Sequence, residues 1–329
     1  MANVLLIGMG TTTLSALDSL ATQFNVVGVV RSIEPSACDP VSSLATKLGI
    51  PIYPSVSATS IEDLVQRLKP DCVVVSSYNR ILRPELLRLS RFVNVHYSPL
   101  PLYRGRANVN WAIINGDSYA AISIHEITPE LDQGNILFQK RIPIRERDTV
   151  ADLYYALNEV QRQHLANSVR RLLEGDVGEP QVEDGATYGC TRIPEDGEID
   201  WRNTTIQIDR LVRALIDPFP GAYTYFKGQK LIVWKAAPLI NAPQYAGRVP
   251  GRIVSVDKLE GYVDVLTGDG VLRLSEIQLS GTKRTAAADV IRSIKDTLGL
   301  RIVDLHERVQ MLEQEIAQLV KRFEVSGTV

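Results

Sequence analysis

The chain has 329 residues, of which 45% are hydrophobic and 22% charged, and its formal net charge is −2 at pH 7. These values are typical of a globular protein with room for about two domains, and without a basic excess they argue against tight binding to a large polyanion. Three scattered cysteines without a Cys-x-x-Cys pair indicate a reduced, cytoplasmic protein. Because there are also only four histidines, we expect no metal site. The N-terminus lacks a basic leader and no apolar run approaches about 18 residues, so we expect neither secretion nor a membrane span.

Apolar strands alternate with helical segments through the first half of the chain. The first apolar run, Val4-Leu5-Leu6-Ile7, ends at a glycine turn, and residues 11–20 follow it at helical spacing. Similar apolar runs are found at residues 26–30, 51–53, 72–76 and 92–95, with helical segments at residues 41–48, 61–68 and 84–89. This alternation predicts a Rossmann-like α/β domain with a mostly parallel sheet. Ligands of such sheets bind beyond the carboxyl ends of the strands, where we expect residues 76–80 and 94–106.

After residue 119 the predicted strands are no longer apolar throughout. Polar and apolar residues alternate over 120–127, which predicts a half-buried strand, and a tight turn at 131–134 leads to a further strand at 136–144. The longest amphipathic helix of this half is predicted at residues 149–173, with Thr149 or Asp152 near its N-cap.

A second part follows a segment rich in Gly, Pro and acidic residues at 175–197, which indicates a linker or lid. A helix is predicted at residues 205–215. Short strands between glycine turns are predicted at residues 230–234, 251–254, 261–266 and 270–277. We therefore expect a first domain at residues 1–185, a connecting segment at 186–236, a small OB-like β-barrel at 237–285 and a C-terminal helix at 286–329.

The C-terminal segment carries a heptad pattern. Its apolar residues recur 3 and 4 positions apart over three repeats: Ile302, Leu305, Val309, Leu312, Ile316, Leu319 and Phe323. β-Branched residues at the first three a positions and Leu at every d position favour a parallel two-stranded coiled coil, in which Arg308 at g faces Glu313 at e. We expect a homodimer through this helix, with an amphipathic helix docked on its own domain as the alternative.

Polar side chains with catalytic potential occur at one predicted strand end. Asn94 and His96 are two residues apart and therefore point to the same face of a strand. An amide can stabilise a developing oxyanion, and an imidazole can move a proton near neutral pH. Asp132, in the turn 36 residues after His96, would hold the imidazole in orientation and stabilise its charged form. Taken alone, each of these residues could equally serve the local backbone.

The first glycine turn suggests a competing function. Gly8-Met9-Gly10 resembles the start of a dinucleotide fingerprint, which would support a nucleotide-binding oxidoreductase. Thr13 replaces the third glycine, and Arg31 stands where an acidic ribose anchor is usual. Incomplete glycine turns are common packing devices, so we do not favour a nicotinamide cofactor.

Two separated motifs identify a family resemblance. Residues 94–105, Asn-Val-His-Tyr-Ser-Pro-Leu-Pro-Leu-Tyr-Arg-Gly, followed by Leu131-Asp132-Gln133-Gly134, resemble the signature of formyltransferases that depend on 10-formyltetrahydrofolate. The resemblance implies that Asn94, His96 and Asp132 are the catalytic residues and that 10-formyltetrahydrofolate is the cosubstrate, without a metal. Tyr97, Pro99 and Asn108 depart from the residues usual in the family.

Within that family, the segments 103–111 and 217–225, together with Trp234, are similar to enzymes that formylate nucleotide-linked amino sugars, in particular the 4-amino-4-deoxy-arabinose formyltransferase domain. The resemblance implies formyl-folate contacts at Tyr78, Asn79, Arg80, Arg106, Thr128, Pro129, Glu130 and Leu131. Candidate substrate contacts, for phosphate binding or stacking, are Arg104, Trp111, Tyr223 and Tyr225. Solvated arginines and core aromatics are the alternatives for these four, and the nucleotide, the sugar and the place of the nucleotide stay open.

A related enzyme, methionyl-tRNA formyltransferase, is the nearest alternative. It would need a basic surface for tRNA phosphates. Residues 237–280 contain four basic residues against five acidic ones, so we favour the amino sugar over nucleic acid. The product of such a reaction would enter a surface polysaccharide or a lipid A type glycan.

Overall fold

The computed structural model describes residues 1–31, 39–54, 58–78, 80–106, 108–300 and 302–326. It divides into two units, Met1–Arg192 and Ile193–Val329, which are described separately below.

A seven-stranded mixed sheet forms the centre of the first unit. Its order is β3-β2-β1-β4-β5-β7-β8; the first five strands are parallel, and β7 and β8 are antiparallel. The strands of this unit are β1 (Asn3–Gly8), β2 (Asn25–Arg31), β3 (Ile52–Pro54), β4 (Cys72–Ser76), β5 (Arg91–His96), β6 (Arg104–Gly105), β7 (Tyr119–Glu126), β8 (Ile136–Pro143) and β9 (Tyr188–Gly189). The helices are α1 (Thr11–Leu20), α2 (Pro40–Lys47), α3 (Ala58–Leu68), α4 (Pro84–Leu87), α5 (Asn108–Asn115) and α6 (Val150–Leu173). The predicted Rossmann-like, parallel-rich domain is confirmed.

The central strands are buried because they are apolar on both faces. Every residue of β4 is buried, as are Val4, Leu5, Leu6 and Ile7 of β1, none of which is measurably exposed. Helix α6 begins with a capping box in which the Thr149 hydroxyl accepts from the Asp152 backbone and the Asp152 carboxylate accepts from the Thr149 backbone. The pKa of the Asp152 carboxyl is lowered because its Oδ2 accepts hydrogen bonds from the Thr149 hydroxyl and from the Thr149 backbone N–H. The predicted start of this helix is therefore confirmed by its cap.

Two features of the sheet place the candidate site. The carboxyl ends of β4 and β5 lie side by side, with Ser76 opposite Val95. Strand β7 runs antiparallel to β5 and pairs with its last four residues, so that His125 lies opposite Asn94. The short helix α5, which follows the loop after β5, was not predicted from the sequence.

Gly8 at the end of β1 serves packing. A Cβ atom at this position would lie 2.2 Å from the Ser76 carbonyl oxygen and 2.5 Å from the Thr13 hydroxyl. This close approach gives the first glycine a structural reason that requires no bound dinucleotide.

The second unit is built on an antiparallel sheet. Its path is β10-β11-β14-β13-β12, and β15 pairs with β14. The strands are β10 (Ala222–Phe226), β11 (Gln229–Pro238), β12 (Ile253–Asp257), β13 (Tyr262–Leu266), β14 (Val271–Leu279) and β15 (Thr285–Ala286), and the helices are α7 (Thr205–Ala214), α8 (Ala287–Val290) and α9 (Ile302–Ser326), with a 3-10 turn at Pro194–Gly197. The sheet thus includes two strands, β10 and β11, that precede residue 239 and that the sequence reading assigned mainly to a connecting segment.

Helix α9 confirms the predicted C-terminal helix. All of its side chains that the structure describes are exposed, including the heptad residues from Ile302 to Leu319. The side chains of Arg308 and Phe323 lie outside the described part. In the described ranges of the chain, no helix is long and apolar enough to cross a bilayer.

Candidate active site

Strand β5 presents Asn94 and His96 at the carboxyl edge of the first sheet. Asn94 lies opposite His125 and His96 lies opposite Ser123 on the antiparallel neighbour β7. Asn94 is half-buried, and His96 is 6% exposed. The same-face arrangement expected from their spacing places both polar groups beside the loop that carries Asp132.

Asp132 lies in the turn between β7 and β8 with a φ of 53°. One carboxylate oxygen, Oδ2, lies 3.6 Å from His96 Nδ1 and accepts a hydrogen bond from the Gly105 backbone at 2.8 Å. The other oxygen, Oδ1, accepts from Asn94 Nδ2 at 3.4 Å. The three residues singled out in the sequence therefore meet around one carboxylate.

The hydrogen bonds of His96 define which ring nitrogen is available. Its Nε2 lies 2.8 Å from the Tyr103 carbonyl oxygen, which can only accept, so Nε2 carries the hydrogen and donates. Asn108 Nδ2, which can only donate, also lies 3.0 Å from this nitrogen, but the contact to the carbonyl oxygen is shorter, and Asn108 Nδ2 donates to the Gly105 carbonyl oxygen at 3.3 Å. In neutral His96 the lone pair is consequently on Nδ1, the nitrogen that faces Asp132.

A second histidine supports the arrangement. His125 is 1% exposed; its Nδ1 donates to the Glu126 carbonyl oxygen at 2.7 Å, and its Nε2 accepts from Asn94 Nδ2 at 3.2 Å. Burial lowers the pKa of His125 to about 4, against the opposing effect of Asp132. At neutral pH His125 is therefore uncharged and orients the Asn94 amide.

These groups open into a cavity of about 340 Å³. Its lining includes the apolar residues Ile81, Leu82, Val95, Ile127 and Leu131. It also includes polar residues, among them Thr12, Ser77, Tyr78, Arg80 and Arg106. A cavity that combines apolar surface with a few polar groups suits a heterocycle with polar edges. The residues present therefore fit a folate.

Most of the predicted folate contacts lie on this cavity. Tyr78, Arg80, Arg106, Thr128, Pro129, Glu130 and Leu131 all belong to its lining. Burial raises the pKa of the Tyr78 hydroxyl, which therefore stays protonated at neutral pH. Asn79, also predicted at this site, lies outside the described residues.

The predicted substrate role of Arg104 is wrong. Its side chain is fully buried, and both terminal nitrogens of its guanidinium donate to Glu183, with Gln181 as a further acceptor. The hydrogen bonds to Glu183 raise the pKa of Arg104 above its usual range. A guanidinium committed to protein partners is not open to a substrate phosphate, and the motif alone did not reveal this burial.

Trp111 and Tyr223, also predicted to contact the substrate, have partners within their own units. Trp111 donates its indole N–H to the Cys190 carbonyl oxygen at 2.8 Å, and Arg192 lies over its ring. Tyr223 is 5% exposed in β10 of the second unit, with Lys230 Nζ 3.6 Å from its ring centroid, so it is a core residue. The neighbouring Tyr225 is half-buried, and its role stays a prediction.

Two groups of site residues were missed in the sequence. Tyr97 and Tyr154 pack with their ring centroids 5.8 Å apart and both line the cavity. Gln181 donates to the Asp132 carbonyl oxygen at 2.7 Å from a segment that composition marked only as a linker. No spacing rule connects Gln181 with Asp132, and the fold alone brings them together.

Similar known structures share this fold. HypX from Aquifex aeolicus, in complex with tetrahydrofolic acid, matches 89% of this chain with a TM-score of 0.63 at 19% identity, and the chain spans about half of HypX, 47% of its length. WlaRD, a sugar 3N-formyl transferase solved in the presence of dTDP and 5-N-formyl-THF, matches 86% of this chain and 99% of its own, with a TM-score of 0.61 at 17% identity. A sugar N-formyltransferase from Shewanella sp. FDAARGOS_354 matches 73% of this chain and 100% of its own, with a TM-score of 0.58 at 22% identity.

Family comparison adds to the likeness in fold. Residues 31–169 match the formyl transferase family, and residues 193–295 match the formyl transferase C-terminal domain. The first match contains Asn94, His96 and Asp132, and the two matches together cover most of the chain. The chain therefore belongs to the formyl transferase family of enzymes.

Proposed function

We propose that the chain transfers a formyl group from 10-formyltetrahydrofolate to the amine of a nucleotide-linked 4-amino-deoxy sugar. The observation that carries the proposal is the meeting of Asn94, His96 and Asp132 in the lining of one cavity. The proposed product would enter a surface polysaccharide or a lipid A type glycan. We place the protein in the cytoplasm because its three cysteines are scattered and form no Cys-x-x-Cys pair.

The chain's own groups supply the two steps that acyl transfer to an amine requires. When bound, the folate supplies the activated formyl group. Asn94 Nδ2 donates to the formyl oxygen as negative charge develops on it, and loss of one such donor typically costs about 10²–10³ in rate. As the amine nitrogen bonds to the formyl carbon, Nδ1 of neutral His96 accepts the proton that the amine loses. His96 then returns a proton to the folate nitrogen as the bond between that nitrogen and the formyl carbon breaks, which releases tetrahydrofolate. Between these two transfers Asp132, 3.6 Å from Nδ1, stabilises the imidazolium.

The acceptor is inferred from two observations. Two structures similar in fold are sugar N-formyltransferases, one of them solved with dTDP. The segment at residues 237–280 has more acidic than basic residues, which disfavours an initiator tRNA because tRNA binding relies on phosphate neutralisation. Methionyl-tRNA formyltransferase activity is the alternative that the experiment has to exclude.

One incubation separates the candidates. The protein is mixed with 10-formyltetrahydrofolate and a panel of UDP-, dTDP- and GDP-linked amino sugars, and in parallel with charged initiator tRNA. We expect one 4-amino sugar nucleotide to be formylated, as measured by mass spectrometry, and the His96→Ala variant to be inactive. Formylation of the tRNA and of no sugar would reject the acceptor, and full activity of His96→Ala would reject the mechanism.

The same proposal includes a second copy of the chain as partner. Six heptad residues of α9 expose between 39% and 87% of their surface: Ile302, Leu305, Val309, Leu312, Ile316 and Leu319. A face of this kind is covered when two copies align their a and d positions. In a parallel pair, Arg308 at g of one chain also comes opposite Glu313 at e of the other, which favours this occupant.

Sedimentation velocity of the full chain tests this assembly. The Leu312→Lys variant places a charge in the predicted seam and is expected to shift the dimer to monomer. Gln314→Lys adds the same charge at the outward f position of the same helix, so this control is expected to remain dimeric. A monomeric wild type, or a dimer that survives Leu312→Lys unchanged, would contradict the proposed interface.

A further inference from the structure

Arg104 is the largest fully buried side chain of the first unit, and it is charged. Its Nη1 and Nη2 donate to the two carboxylate oxygens of Glu183 at 2.8 and 2.7 Å, and Nη2 also donates to Gln181 Oε1 at 2.9 Å. A bidentate guanidinium–carboxylate pair is among the strongest and most directional of side-chain contacts. The guanidinium thereby fixes the positions of both Gln181 and Glu183.

The Gln181 amide holds the turn that carries Asp132. Its Nε2 donates to the Asp132 carbonyl oxygen at 2.7 Å and to the Gly134 carbonyl oxygen at 2.8 Å. Asp132 has a φ of 53°, in the left-handed region that aspartate tolerates better than most other residues with a side chain. The two hydrogen bonds from Gln181 fix the carbonyl groups on both sides of Gln133 and thereby hold this turn.

The backbone on either side of Arg104 reaches the same two reacting residues. The preceding Tyr103, with a φ of 57°, accepts from His96 Nε2 through its carbonyl oxygen. The following Gly105 donates its N–H to Asp132 Oδ2 at 2.8 Å. The Arg104 backbone itself is held in place by the Thr187 carbonyl oxygen, to which its N–H donates at 2.9 Å.

These contacts form a closed circuit. The main-chain neighbours of Arg104 are Tyr103 and Gly105, whose backbone groups bond His96 and the Asp132 carboxylate. The Arg104 side chain bonds Gln181, which in turn bonds the Asp132 backbone. We propose that Arg104, Gln181 and Glu183 form a clamp that sets the distance and orientation between His96 Nδ1 and the Asp132 carboxylate. They are positioning residues, which touch neither the formyl group nor the acceptor, and their kinetic effect rests on the proposed formyl transfer.

Substitutions at Gln181 test the clamp, because this half-buried residue can be changed with less risk to folding than Arg104. Gln181→Met removes both the donor and the acceptor at similar length. Gln181→Glu keeps an acceptor for Arg104 but turns a carboxylate oxygen toward the two carbonyls, so it preserves the ion pair and breaks the hold on the turn. We expect both variants to lower kcat at least tenfold, to change KM for the formyl donor by less than about twofold, and to alter the pH profile of kcat, since small misplacements of catalytic groups are costly.

A matched pair of neighbouring carboxylates gives the control. Glu183→Gln weakens the pair with Arg104 and is expected to lower kcat in the same way, though by less. Asp184→Asn changes the next residue, which is also exposed, and is expected to leave kcat, KM and the pH profile as in the wild type. If Gln181→Glu keeps the wild-type kcat and pH profile, the clamp has no positioning role and the proposal is overturned.

A readout independent of activity separates this proposal from the proposed function. In protein with ¹⁵N-labelled histidine, the His96 signals of the wild type are expected to report hydrogen on Nε2, and those of Gln181→Met a mixture of tautomers. A wild type that formylates nothing, with a tautomer that still changes in Gln181→Met, would reject the reaction and keep the clamp. An unchanged tautomer together with an unchanged kcat would reject the clamp and keep the reaction.

Discussion

The Asn94 side-chain amide donates to Nε2 of His125 at 3.2 Å, and this contact places an amide hydrogen in the candidate active site. The same nitrogen reaches Asp132 Oδ1 only at 3.4 Å. Because the second hydrogen bond is long, a stronger acceptor in the cavity can replace it, and a developing oxyanion is such an acceptor. Neutral His125 thus orients Asn94 while leaving one donor free for chemistry.

Removing the acceptor at residue 125 is expected to impair catalysis. In His125→Leu the Asn94 amide loses the atom that orients it, so we expect kcat to fall about tenfold or more, in line with the cost of an unsatisfied buried polar group. His125→Gln supplies an amide oxygen and is expected to recover part of the loss. Steady-state kinetics of formyl transfer measure both effects. Equal kcat values for His125→Leu and His125→Gln would contradict the proposal that His125 orients the Asn94 amide.

The pKa of His125 also predicts how stability depends on pH. Burial lowers it to about 4 in the folded chain, whereas an unfolded histidine titrates near about 6.5. Between these values the unfolded state binds more protons, so stability rises with pH across this window and is lost as pH falls through it. The contribution of His125 should be roughly 2 kcal/mol smaller at pH 5 than at pH 7.5.

Urea denaturation, followed by circular dichroism at pH 5 and at pH 7.5, measures how the free energy of unfolding changes with pH. The wild type and His125→Leu share all other titrating groups, so the difference between their pH dependences isolates His125. We expect the variant to lose less stability on acidification than the wild type. Parallel pH curves for the two proteins would show that His125 is not held neutral in the fold.

Asn94→Ala is expected to lower kcat by about 10²–10³, with a smaller effect on KM, because the donor acts most strongly on charge that develops during the reaction. The matched control is Asn167→Ala, which removes the same side chain from an exposed position in α6. It should leave both constants unchanged. A loss in Asn94→Ala confined to KM would mean that the amide binds the ground state and does not stabilise the oxyanion.

Some residues of the candidate active site, and the fold of the first unit, could be predicted from short sequence patterns. Asn94 and His96 were found because a strand's period of two places them on one face. Asp132 was found through the resemblance of residues 131–134 to a family motif, since a lone aspartate in a turn is ordinary. The fold of the first unit was predicted from fully apolar strands that alternate with helices, which is typical of a covered parallel sheet.

Long-range packing decided the residues that the sequence did not reveal. An arginine in a loop is a common phosphate ligand, and the sequence around Arg104 suggested this role. In the fold, Arg104 is a buried cation that donates to Glu183 and Gln181, which are 79 and 77 residues away in the chain. Trp111 is satisfied by the Cys190 carbonyl oxygen, also 79 residues distant. All of these partners come from the segment that composition marked as a linker, because a polar, glycine-rich segment shows no periodicity even when the fold uses it.

Gly134→Ala is expected to displace the turn that carries Asp132. A Cβ atom at this position would lie 1.9 Å from the Glu126 carbonyl oxygen and 2.7 Å from its carbon, so the turn, β7 or both must shift. A displacement of about 1 Å can cost about 10² in rate. We therefore expect kcat to fall by that order, while the circular dichroism spectrum of the whole chain shows that the variant is still folded. Gly247→Ala is the control, since a Cβ there meets no atom within 4 Å and the residue has no positive φ. If Gly134→Ala matches Gly247→Ala in kcat and in stability, the turn tolerates movement, and a fixed separation between His96 and Asp132 is not required for the reaction.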